Sequence, residues 1–201
     1  MANRRIPQLV VILTLALMVV ACGRDVSTDD LKGVLIDPAQ PKPDFVLTDT
    51  EGQPYDFAAE TEGQLTLLYF GYLNCPDICP VHLAQIAETF DQHPDVASDA
   101  EVVFVSVDPH RDSPEEIRAF LDNFDSRFVG LTGTLDELEK AQTAANVPVA
   151  QFVGDGEDYT VNHAGQVIAF APDGLSHSVY PFGVRQSQWA NDLQILSEMK
   201  G

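Results

Sequence analysis

The sequence predicts an α/β domain of three layers, and three observations carry that expectation. Residues 65–70 (LTLLYF) and 102–107 (VVFVSV) are near-continuous apolar runs, the pattern of strands buried on both faces. Helical-period segments follow each run, two of them opened by Ser/Thr-x-x-Glu boxes at Ser113 and Thr134. The alternation closes on a β-hairpin near the C-terminus, which completes a sheet flanked by helices. The 201 residues are 45% hydrophobic and 21% charged, enough for one core and unlike a disordered or polytopic chain. Against 31 Asp and Glu stand only 11 Lys and Arg, a formal charge of −20. Such a chain lacks the cations that neutralise phosphates, which excludes nucleic acid as a partner.

Arg4 and Arg5 precede an apolar run over residues 9–21, the layout of an export signal. The run is short of the roughly 20 residues of a comfortable membrane span. It ends in Val19-Val20-Ala21-Cys22-Gly23, which resembles a bacterial lipobox with Cys22 as the lipid-bearing residue. An uncleaved anchor with an incidental Cys is the alternative, and both place the domain outside the cytoplasm on a membrane, periplasmic or outer face. The expected organisation is a signal over 1–21, a Pro-containing tether over 22–43 and the domain over 44–201.

Within the domain, residues 45–52 alternate and turn at Glu51-Gly52, a hairpin signal. After the 65–70 strand, Val81, Leu83, Ala84, Ile86, Ala87 and Phe90 recur at helical spacing behind Pro80. Ser113-Pro114-Glu115-Glu116 opens a helix whose apolar face is Ile117, Phe120, Leu121 and Phe124. Thr134 opens a third helix to about Asn146. Residues 159–161 and 167–171 read as strands, Pro172-Asp173-Gly174 as the turn out, and Trp189, Leu193 and Leu196 as a terminal helix.

Setting Cys22 aside leaves Cys75 and Cys79, at the end of a buried strand and the start of a helix. Sites in open α/β sheets form at strand carboxyl ends. A disulfide closing so short a loop would stabilise little. Helix-N-terminal N–H groups favour thiolate, so both sulfurs are expected to be redox-active or metal-competent. Soft thiolates select copper(I) or zinc over hard cations. A histidine would be the natural third ligand, and spacing ranks His82, His110 and His163 equally. Asp108 and Asp112 could be paired acids, but strand-end capping by Asp108 and loop fixation by Arg111 is the better reading.

The segments Phe70-Gly71-Tyr72, Cys75-Pro76-Asp77-Ile78-Cys79-Pro80, Val107-Asp108-Pro109-His110-Arg111-Asp112-Ser113-Pro114, Val129-Gly130-Leu131-Thr132-Gly133 and Val161-Asn162-His163, with Pro172-Asp173-Gly174, resemble the Sco/SenC family. The resemblance spans about residues 40–200. It implies a thioredoxin-like fold, copper as the bound metal, and Cys75, Cys79 and His163 as ligands. It further implies membrane-tethered work in cytochrome c oxidase assembly, with the oxidase copper-binding subunit or another copper chaperone as partner. Leu73 replaces the family's usual Thr, Asn162 a frequent Asp, and His110 a common Glu. Copper delivery is the expected function; the alternative is a thiol–disulfide reductase that keeps oxidase cysteines reduced through the Cys75–Cys79 pair. A peroxiredoxin-like peroxidase is disfavoured because Tyr72 stands where those enzymes place Thr.

Overall fold

The computed structural model of the chain describes residues 27–154, 156 and 158–200. The expected signal over 1–21 and the lipid site at Cys22 lie outside the described residues. After a 3-10 turn at Thr28–Asp30, the elements run β1 (Val34–Pro41), β2 (Val46–Asp49), β3 (Pro54–Asp56), α1 (Phe57–Glu60), β4 (Leu65–Gly71), α2 (Ile78–Gln92) and α3 (Pro94–Ala97). They continue β5 (Ala100–Ser106), α4 (Pro114–Leu121), β6 (Val129–Thr132), α5 (Leu135–Ala144), β7 (Gln151–Val153), β8 (Thr160–Asn162), β9 (Val167–Phe170), β10 (Leu175–Tyr180) and α6 (Gln186–Ser197).

Eight strands form one mixed sheet in the order β1-β10-β9-β4-β5-β6-β2-β3, and β7 pairs with β8 separately. The apolar runs are its centre: every residue of β4 is buried, and β4, β5 and β6 run parallel. Helices flank this sheet, with α2 packed on α6, α4 on β6 and α5 on β2. The α/β thioredoxin-like expectation holds. Both capping boxes form: Ser113 Oγ accepts from the Glu116 amide at 3.3 Å and Glu116 accepts from the Ser113 amide at 3.0 Å. Thr134 and Glu137 repeat the exchange at 3.3 and 2.8 Å. The hairpin signal near Gly52 becomes β2–β3, with Gly52 at φ +78° in the turn.

Two expectations need correction. The tether does not extend to residue 43, because 34–41 is an edge strand paired antiparallel with β10, Val34 opposite Val179 and Pro41 opposite Leu175. Its prolines suit an edge, where a missing N–H breaks no ladder. Lys42 then anchors the exit, its Nζ donating to Thr66 Oγ1 at 3.0 Å and to the carbonyls of Gln64 and Thr61. On α2, Val81 is not part of the core face but 40% exposed. The helix begins at Ile78, so the stripe of inward positions runs through Cys79, His82, Leu83, Ile86 and Phe90.

Candidate metal centre

Strand β4 delivers the chain to Gly71 at the carboxyl edge of the sheet, beside Ser106 at the end of β5. The loop 72–77 turns there, closed by the Cys75 amide donating to the Tyr72 carbonyl at 3.2 Å. Cys75 lies in this loop and Cys79 in the first turn of α2; both are buried free thiols. Gly71 is required by close approach: a Cβ there would stand 2.8 Å from Cys79 Sγ and 2.7 Å from the Phe104 ring.

His163 arrives from elsewhere in the sequence, at the exit of β8, and is half-buried. Its Nδ1 lies 2.9 Å from the Phe70 carbonyl and 2.9 Å from the Ala164 carbonyl. Carbonyls only accept, so Nδ1 carries the proton and the Nε2 lone pair is left for a metal. Nε2 points at Cys79 Sγ, 3.8 Å away. The two sulfurs and one imidazole nitrogen lie within 4.8 Å of one another. Bonds of about 2.0–2.3 Å to one soft ion would hold a nitrogen and a sulfur about 3.8 Å apart across a trigonal centre, which is the spacing of Cys79 and His163.

The two thiols are electrostatically unequal. The hydrogen bond from Cys79 holds Cys75 far below the ordinary thiol range despite its burial, and His163 adds to this. Burial pushes Cys79 up, and the neighbouring Cys75 charge pushes it further. Cys75 is therefore the sulfur that loses its proton first, and burial beside that charge opposes ionisation of Cys79. Burial lowers the proton affinity of His163, but the Cys75 thiolate and both carbonyls outweigh it and the net shift is upward.

The other histidines are not brought in. His82 is buried with its ring among Tyr69, Phe182 and Trp189 and donates from Nε2 to the Gly165 carbonyl at 3.2 Å. His110 is exposed and stands against Phe152. Asp108 and Asp112 are buried anchors, as the loop-fixing reading expects, held by Arg111 and Ser106 respectively. Leu73 contributes its amide, which donates to Asp112 at 3.0 Å, so the departure from Thr leaves this backbone contact in place. Asn162 is exposed. Sequence reasoning missed Tyr69, whose hydroxyl donates to Cys79 Sγ at 3.2 Å. Inside a continuous apolar run, nothing set its hydroxyl apart from a core ring.

Residues 35–198 match the family described as SCO1/SenC. The chain belongs to the SCO1/SenC family. A Stutzerimonas stutzeri protein described by name as copper-binding is 31% identical over 168 residues, covering 83% of this SCO1/SenC chain and 81% of the relative. The mouse mitochondrial SCO2 homolog is 35% identical over 68% of this chain, which spans 54% of that protein's length. Among solved structures, copper-bound ScoI of Bradyrhizobium japonicum superposes with TM-score 0.68 at 32% identity, covering 78% of this chain and 98% of that one. Copper-bound yeast Sco1 gives 0.69 at 28% identity, covering 78% and 87%. No helix among the described residues is long and apolar enough to cross a membrane.

Proposed function

We propose that this SCO1/SenC chain binds copper through Cys75, Cys79 and His163 and delivers it for assembly of the cytochrome c oxidase copper site. The observation that carries this reading is the convergence of two sulfurs and a tautomer-locked imidazole nitrogen within 4.8 Å. Two soft sulfur donors and one imidazole suit Cu(I). The copper-bound relatives support copper over zinc. In this scheme the recipient is the oxidase copper-binding subunit or another copper chaperone, and the protein works outside the cytoplasm from a lipid on Cys22. An N-terminal lipidated Cys in mass spectra of the membrane-extracted protein is the expected result; an intact Met1 would remove the lipid from the scheme.

A second reading, thiol–disulfide reduction, draws on the inequality of the two cysteines. The Cys75 thiolate would attack a partner's disulfide and form a mixed disulfide, releasing one partner thiolate. Cys79, after losing its proton, would attack Cys75 and release the second. The partner gains two thiols and this chain gains a Cys75–Cys79 disulfide. That scheme uses no imidazole. His163→Ala therefore separates the readings: loss of oxidase copper-site assembly with Cys75–Cys79 redox cycling intact is the outcome expected for delivery. Assembly that survives His163→Ala but fails in Cys75→Ser would identify a reductase.

A further inference from the structure

His163 hangs from the two-stranded β7–β8 unit, which forms no ladder with the main sheet. Besides the direct contacts of His163 with Phe70, Tyr72 and Cys79, the five-residue stretch 108–112 that follows β5 ties that unit to the cysteine side. We infer that Asp108, Arg111 and Tyr159 form a clamp that positions His163 opposite the two cysteines; this rests on the ligand set proposed above.

Asp108 is buried to 0% exposure and shares its carboxylate between two arms. Its Oδ1 accepts from the Tyr159 hydroxyl at 2.6 Å, and its Oδ2 accepts from Arg111 Nε at 2.7 Å and forms an ion pair with Nη2 at 2.7 Å. Arg111 Nη1 donates to the Tyr159 carbonyl at 3.0 Å, and the guanidinium lies 3.7 Å above the Tyr159 ring. Tyr159 is thus held at its hydroxyl, its ring face and its backbone, one residue before β8. The same stretch grips the cysteine loop: Asp112 Oδ2 accepts from the Leu73 amide at 3.0 Å and from Ser106 Oγ at 2.6 Å. Ser106 Oγ in turn accepts from the Asp108 amide at 3.2 Å. One short loop therefore registers both halves of the site. Three strands of chemistry coincide here: a buried carboxylate, a fork-shaped cation and an aromatic face, all converging on the residue that leads into the ligand strand. The ligand atoms come from Cys75, Cys79 and His163, so the role of Asp108, Arg111 and Tyr159 is positioning.

The test uses the reduced full-length protein and Cu(I) alone, titrated against a competing chelator, with amide exchange measured on the metal-free protein. Arg111→Gln should weaken Cu(I) by about 10–100-fold, the usual cost of disturbing groups that orient a ligand. In a His163→Ala background it should add almost nothing, because the clamp acts through His163. Arg111→Lys, which keeps the charge but not the fork, should recover only part of the affinity. In the metal-free protein, exchange across residues 151–163 should quicken by about tenfold or more while β4 and β5 stay protected. Tyr159→Phe removes only the hydroxyl and serves if Arg111→Gln folds poorly; it should show the same pattern in smaller degree. Equal losses in the wild-type and His163→Ala backgrounds, or unchanged exchange over 151–163, would overturn the clamp. If His163→Ala itself leaves Cu(I) binding intact, the ligand assignment fails instead, and the exchange measurement alone then decides the clamp.

Discussion

The Phe70 carbonyl and His163 Nδ1 lie 2.9 Å apart, although 93 positions separate them in the chain. Phe70 belongs to β4, a strand buried at every residue, so the imidazole is registered on the core as well as on its own loop, where the Ala164 carbonyl lies at the same 2.9 Å. The strand that carries Cys75 into place therefore also selects which nitrogen of His163 faces the sulfurs. Sequence neighbours of the cysteines, His82 above all, have no such hold on the site.

Replacing any of Cys75, Cys79 or His163 should weaken Cu(I) more than the roughly 10–100-fold typical of outer-sphere changes. His110→Ala should leave the affinity unchanged, because that ring is exposed and packs beside Phe152. Chelator competition on the reduced protein measures each. An affinity loss in His110→Ala equal to that in His163→Ala would sink the assignment.

Gly71→Ala tests the close approach behind the cysteines. Its methyl group would press on Cys79 Sγ at 2.8 Å and on Phe104 at 2.7 Å, and both neighbours are fully buried. Overpacking of this kind costs about 1–3 kcal/mol. Urea unfolding should show that loss, accompanied by weaker Cu(I) binding as the sulfur is displaced. Wild-type stability and affinity together would show that the strand end yields without disturbing the cysteine.

His82 gives the fold a dependence on pH. Burial holds its proton affinity below the ordinary histidine value, outweighing the Gly165 carbonyl and the Cys75 charge. The unfolded chain therefore takes up this proton first, from about pH 6.5 downward, and each step of acidification favours unfolding. His163 shifts in the opposite sense, so the informative quantity is the difference between wild type and His82→Phe. Losing the bond to Gly165 should offset the variant's stability by a constant. The stability difference should then move in the variant's favour as pH falls from about 7.5 to 5.5. Parallel urea midpoints across that range would show that His82 is not held neutral.

The sequence by itself determined the sheet centre, the helices and the cysteine pair, because each is encoded locally. Residues 65–70 and 102–107 are apolar at all but one position each, Thr66 and Ser106, and the two capping boxes write their own helix starts. Residues 34–41 and 175–180 were not legible in the same way. The first is an edge strand with few buried side chains, and the second buries Ser176 and Ser178 where a core strand would show aliphatics. Their pairing supplies what their composition does not. Of the site, both sulfurs were readable from position, whereas residue patterns alone left three histidines equal and only the family resemblance singled out His163. Tertiary structure decided the rest. Tyr69 looks like any core ring until its hydroxyl meets Cys79 Sγ, and Arg111 reads as fixing its own loop until Tyr159 lies beneath it. Contacts between segments dozens of residues apart depend on how the sheet orders its strands, which no local period records.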